Sequence, residues 1–403
     1  MKNKIHFLLS VCIAVAVLTG CSSDDSSSGP DTFGYDIHIE YPESYGGGVV
    51  ANASVVLKNL STNIETSMTT DEDGVAAFTE IAPGNYSVTV SRTLSATEAE
   101  ALTGIGAEVF LNATLSQLQI LADGATTIQL EGSAVGDWVI KEFYYSGAPD
   151  SYYFYDGFIE IYNNSTDVQY ADGLLFGTTK SASSSSTSFY GFITEGYEDA
   201  FLAYVMQIPG NGTDYPVEPG ASVVIAIDGI DHKDDPNGNA NSPVNLGPDV
   251  ADFEVYFYAN PNTPDTDSPD VPNVEIIYSY STTVFDYLPG VFGSGLVIFR
   301  HDNPGELERL TEPGSTSSRE FVRVPKAYVV DALDAVANSS VTPELKRLPT
   351  NLDAGMNTVG GSYTGTSLRR KVKQEIGGRK VLLDTNNSAT DFEVNNSPSP
   401  KGW

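Results

Sequence analysis

Cysteine is nearly missing from this chain. Its 403 residues include two, Cys12 and Cys21, and none follows residue 21. Residues 22–403 therefore hold no disulfide, no thiolate metal site and no cysteine nucleophile, and stability must come from an apolar core. The hydrophobic share, 40%, is sufficient for one. Basic side chains are scarce too: 21 Lys and Arg stand against 53 Asp and Glu, a formal net charge of −32. That sign repels phosphate backbones, which excludes nucleic acid as a partner; it suits cationic ligands, divalent metal, or solubility alone. Residues 7–18 form an apolar run shorter than the roughly 20 residues a bilayer-spanning helix needs. Gly-x-Ser-x-Gly, His-Glu-x-x-His and a phosphate-binding glycine loop are all missing, so no motif announces a hydrolase or a nucleotide site.

What is present starts at the N-terminus. Lys2 and Lys4 precede the apolar run, the pattern of an export signal rather than of a membrane span. The run closes on Leu18-Thr19-Gly20-Cys21, which resembles the lipobox of bacterial lipoproteins. The resemblance implies that residues 1–20 are a signal peptide and that Cys21 is acylated, making outer-membrane lipid the first partner. Residues 21–32, with Ser22, Ser23, Asp24, Asp25 and Pro30, read as a polar tether. Acidic residues just after the lipidated cysteine resemble the surface-export signal of Bacteroidota lipoproteins, which implies an outer-membrane protein whose body faces the cell exterior.

The remainder reads as all-β: two Ig-like β-sandwich domains in tandem, the second enlarged by insertions and carrying one helix. Residues 33–132 form the first. Val55 and Leu57, then Ala76 and Phe78, alternate with polar neighbours as half-buried strands require. Asp71-Glu72-Asp73-Gly74 reads as a hairpin turn with positive φ at Gly74, and Pro83-Gly84 as a second turn with positive φ at Gly84. Ser95 with Glu98 suggests a helix cap over 96–103. Thr70-Asp71 through Gly74, then Phe78, then Pro83-Gly84-Asn85-Tyr86 and Val88, is similar to carboxypeptidase-regulatory-like, prealbumin-like modules, which implies a spacer or interaction platform without catalytic residues.

Residues 132–136 read as a joint, and 137–403 as the second domain. Trp138-Val139-Ile140-Lys141-Glu142, Phe158-Ile159-Glu160-Ile161-Tyr162-Asn163 and, near the end, Leu368-Arg369-Arg370 and Asp391-Phe392 resemble lamin-tail domains. The segment between is far longer than a lamin tail, which points to the large lamin-tail-like domain of Bacteroidota outer-membrane lipoproteins. The family has no established activity; the resemblance implies a neighbouring TonB-dependent receptor. Residues 222–228 read as an internal strand. Val329, Ala332, Leu333 and Val336 fall at helical spacing, which predicts a helix over 328–337 stopped before Pro343. The cluster Arg369-Arg370-Lys371-Val372-Lys373 reads either as a solvated loop or as contacts to acidic surface of the same chain.

Candidate chemistry is sparse. Tyr145, Tyr152, Tyr153 and Tyr155 flank one loop; alternation buries about half of such a set and leaves the rest as partner-binding surface. No metal is assigned; were one bound, His232, Asp231 and Asp234 would hold it. Asp265, Asp267 and Asp270 read as a solvated loop. Glu142 and Glu160 are carboxylates on neighbouring strands, with a cross-strand structural explanation beside the glycosidase one. The reading that follows is a non-enzymatic, surface-anchored binding or accessory lipoprotein beside a β-barrel transporter, with no cofactor. A carboxylate- or metal-dependent glycan hydrolase and a structural adhesin are the alternatives.

Overall fold

In the computed structural model, residues 32–42, 45, 47–103, 109–134, 136–181, 191–258 and 265–403 are described. The signal segment, Cys21 and the Asp24–Asp25 pair lie outside them. Strands dominate, and the described helices are short, as an all-β Ig-like sandwich requires.

Residues 33–134 fold as a three-stranded sheet against a five-stranded one. Ile37, Ile39, Val55, Leu57, Ala76, Phe78, Val88 and Val90 point between them, fully or nearly buried. The turn at Asp71–Gly74 forms, with Gly74 at φ +73° and Asp71 Oδ1 accepting from the Asp73 and Val75 N–H groups. A Cβ there would lie 2.7 Å from Val49 Cβ, so glycine is required. It is not a hairpin, however. Glu65–Thr69 pairs with Ser54–Asn59 in one sheet, whereas Val75–Ile81 pairs with Phe33–Glu40 in the other. The turn is an arch between sheets, because Ala76 and Phe78 must face Val55 and Leu57 across the core. Gly84 likewise begins the strand Gly84–Leu94 and lacks the expected positive φ. The capped helix forms at Ala96–Thr103, where Glu98 accepts from the Ser95 backbone and hydroxyl. Residues 131–134 pair with Val109–Asn112, so the expected joint is largely strand.

The strands from Trp138 onward build two larger sheets. One runs Phe253–Glu254, Ser222–Ala226, Phe158–Asn163, Trp138–Tyr144, Ser367–Arg370, Phe392–Asn395. The other runs Glu275–Ser279, Tyr204–Gln207, Leu175–Thr178, Gly295–Phe299, Val329–Asp334. The early and late motifs are thus hydrogen-bonded neighbours, with Leu368 opposite Phe143 and Arg369 opposite Glu142. Ile140, Phe143, Ile159, Ile161, Phe176, Ile225 and Ile298 belong to the shared core.

One expectation fails here, and one alternative is settled in favour of contacts to acidic groups of the same chain. Val329–Asp334 is a strand, paired antiparallel with Gly295–Phe299, not a helix. Its two β-branched residues and the open edge of Gly295–Phe299 outweigh the helical spacing. Arg370 is not solvated: it is 2% exposed and lies among Asp331, Asp384 and Asp391 while donating to the Ile140 and Leu383 carbonyls. The two domains also touch, through Asn112 Nδ2 to the Thr385 carbonyl at 2.8 Å.

Candidate functional site

The strand Ser222–Ala226 is buried between two neighbours and delivers its chain to Asp228 at one end of the sandwich. A long excursion then folds back on itself, with Leu246 N–H bonded to the Ile230 carbonyl, before returning as Phe253–Glu254, parallel to the first strand. Glu254 ties this end together. Its two carboxylate oxygens accept from Gly229 N at 2.7 Å and Ser268 N at 2.6 Å, drawing the 265–270 loop against the strand end.

These segments, with residues 285–286 and the tyrosine loop, enclose an open cleft of about 720 Å³. Its floor is Asp228, Asp265 and Asp286, whose carboxylate oxygens lie within 4.8 Å of one another. Asp231, Asp235, Asp267 and Asp270 stand around the rim, Tyr153, Tyr155 and Phe285 form walls, and no Lys or Arg is among the lining residues. Burial, then the neighbouring acids Asp265, Glu254 and Asp156, push Asp228 up to about 8. Burial and the Asp228 and Asp265 carboxylates hold Asp286 well above the carboxylate range, against a lesser opposing pull from the Tyr287 N–H. Asp265 is raised by burial although the Phe257 and Thr266 N–H groups bond its two oxygens.

His232 sits behind the wall, fully buried, and is not a metal ligand as arranged. Nε2 donates to the Asp228 carbonyl at 3.0 Å, so in the neutral ring Nδ1 accepts from the Tyr153 hydroxyl at 2.6 Å. Burial lowers its pKa to about 4, which keeps it neutral. Asp231 is occupied by Lys233 N and Asn245 Nδ2, and Asp234 is exposed. The fold does not bring His232, Asp231 and Asp234 together as a set; the carboxylates it brings together are those of Asp228, Asp265 and Asp286. Asp265, expected in a solvated loop, is half-buried. Asp286 was missed; its signal was a lone acid inside the apolar run Val284-Phe285-Asp286-Tyr287-Leu288.

The four tyrosines divide. Tyr145 is 3% exposed and part of the core, so it is withdrawn as a partner contact. Tyr152 is 87% exposed and edges against Tyr363. Tyr153 and Tyr155, in edge contact with each other, face the acidic cleft. Phe154, stacked on Tyr155, faces a second, apolar cleft of about 310 Å³ with Leu288, Val291, Phe292 and Tyr363. Gly147 makes this loop possible: its φ is +78°, and a Cβ would lie 2.6 Å from the Tyr153 carbonyl oxygen.

Glu142 and Glu160 are directly opposed across neighbouring strands and both fully buried. Glu160 pairs with Lys141 at 2.8 Å and accepts from Ser222; Glu142 accepts from Ser367 and Asn395. They belong to the sheet's interior, closed to a polysaccharide.

An all-β protein with an open acid-and-tyrosine cleft at one end of its second sandwich is the class these observations define. Residues 218–399 match the family model described as protein of unknown function (DUF4876), and residues 44–127 match the carboxypeptidase regulatory-like domain. One family model thus covers most of the first domain and the other the C-terminal part of the second. The crystal structure of a DUF4876 family protein from Bacteroides thetaiotaomicron VPI-5482 is similar at 28% identity over 91% of this chain and 96% of that one, with a TM-score of 0.59. Two other structures share far less. A protein from Bacteroides ovatus ATCC 8483, provisionally named an adhesin, has 12% identity over 41% of this chain and 59% of that one, with a TM-score of 0.18. A protein from Bacteroides uniformis ATCC 8492, provisionally named carbohydrate-binding, has 10% identity over 37% and 61%, with a TM-score of 0.17. Likeness at that level carries no inference. No curated protein matches the chain. Among the described residues no helix is long and apolar enough to cross a membrane.

Proposed function

We propose that this chain is a non-enzymatic binding or accessory lipoprotein, anchored through Cys21 in the outer membrane with its body outward, and working beside a TonB-dependent β-barrel transporter. The observation that supports it is the acid-and-tyrosine end of the second domain: an open cleft lined by Tyr153 and Tyr155, with the exposed Tyr152 preceding them in the same loop. The buried imidazole of His232 is neutral and held at both nitrogens, so it is not itself free to activate a nucleophile. Flat amphipathic rings around a polar cleft are suited to holding a partner or a hydroxyl-rich ligand.

The test is affinity purification of the tagged chain from solubilised outer membranes. A co-purifying β-barrel is expected, and Tyr152→Ser should weaken its capture by about 1–2 kcal/mol while leaving the melting temperature in place. Tyr145→Ser, a core change, should lower the melting temperature instead. Glycan turnover by the purified chain with no partner present would overturn the reading.

A further inference from the structure

We infer that the floor of the acidic cleft is a calcium site, with Asp228, Asp265 and Asp286 as its protein ligands; this deepens the reading of the cleft as the ligand site. Three carboxylates with oxygens within 4.8 Å of one another repel strongly unless something positive lies between them. No basic side chain among the cleft's lining residues supplies that charge.

Asp286 is the independent sign. It is 1% exposed and lines the cleft, and neither carboxylate oxygen makes a hydrogen bond of good geometry, the Tyr287 N–H exerting only a lesser pull on it. A buried carboxyl group without partners is costly, and native proteins seldom keep one without an ion or water to satisfy it. A cation between the three acids satisfies Asp286 and cancels the repulsion at once.

The donors are all oxygen, which selects a hard cation over zinc or copper. Their spacing falls within what an ion bridges at calcium's 2.3–2.6 Å bond lengths. Magnesium is shorter-bonded, keeps several waters, and is usually held by one or two carboxylates, so a three-carboxylate floor favours calcium. Calcium takes six to eight oxygens. The positions that the protein leaves open face the cleft, toward water or the hydroxyl and carboxylate oxygens of a bound molecule.

The experiment is a calorimetric titration of calcium chloride into the detergent-solubilised full chain after EDTA treatment, with thermal melts alongside. One saturable site is expected, with Kd on the order of 10⁻⁴–10⁻³ M, the range of extracellular calcium modules, and a raised melting temperature. Asp286→Asn should abolish the binding. Should that variant fail to fold, Asp228→Asn at the partly buried position serves in its place, and Glu72→Gln, an exposed acid of the first domain, should leave the affinity unaltered. No saturable binding up to about 10 mM, or unchanged binding in Asp228→Asn or Asp286→Asn, would overturn the site. Partner capture that persists without any calcium binding would remove the cation site and leave the binding function. Calcium binding without capture would do the reverse.

Discussion

His232 shows how much a single side chain's meaning depends on what surrounds it. In the sequence it stands among four acids and looks like a ligand. In the fold it is a neutral strut between Tyr153 and the Asp228 carbonyl, its pKa lowered to about 4 by burial. The folded protein refuses a proton that the unfolded chain accepts below its ordinary pKa near 6.5. The stabilisation is therefore complete above that pH and lost as pH falls through 6.5 toward 4. The expected outcome is that the stability of the natural chain relative to His232→Gln falls by up to about 3 kcal/mol between pH 7 and pH 4. Urea melts at several pH values check it. The comparison must be a difference, because Asp156 and Asp228, raised to about 6 and about 8 mainly by burial, act with the opposite sign.

Among elements, the strand Val329–Asp334 does most to join the second domain's sheets. It lies at the edge of the five-stranded sheet, yet Asp331 accepts from Ile140 N in the other sheet at 2.6 Å and from the Arg370 guanidinium. Arg370 also reaches Asp384 at 3.2 Å and Asp391 at 3.6 Å, and its charge lies 4.5 Å from the Phe392 ring. Removing it leaves three carboxylates buried together without their counter-charge. Arg370→Ala is expected to cost about 3–5 kcal/mol, read as a lowered urea midpoint. The strand itself was misread as a helix for a physical reason. Val329, Ala332, Leu333 and Val336 satisfy a helical period, and only the unpaired edge of Gly295–Phe299 decides for extension. The arch at Gly74 makes the same point: Asp-Gly marks a turn, but which sheet receives the next strand depends on where the core lies.

At the scale of the whole molecule, the proposed lipid anchor at Cys21 is what would hold this body at a membrane. Acyl chains contribute about 0.8 kcal/mol per buried CH₂. Cys21→Ala is therefore expected to release the protein into the soluble fraction, and persistence with membranes in high salt would count against the lipid anchor. Protease added to intact cells should digest the body of the natural chain, and replacing Asp24 and Asp25 by alanine should reduce that access. The two domains meet at Asn112 and Thr385, and Lys373 lies 4.8 Å from the Phe110 ring, so part of the basic C-terminal cluster faces the first domain.

The all-β class, the alternating strands of the first domain, the capped helix at 96–103 and the pairing of the second domain's two ends were legible in the residues. Each depends on a short pattern whose physics is local: period-two burial, a cap, a glycine at positive φ, matched strand motifs. That only part of the tyrosine set would be exposed was legible as well, but not that Tyr152 is the exposed member, nor which acids meet at the cleft floor. Asp228, Asp265 and Asp286 come from segments far apart in the chain, and their burial is set by loops folding over one another at a sheet's end. Periodicity says which face a residue takes; it does not say which loops meet. Only the tertiary structure decided that a histidine would be sealed away and three acids left facing one another, because desolvation and repulsion arise from neighbours brought together by the fold.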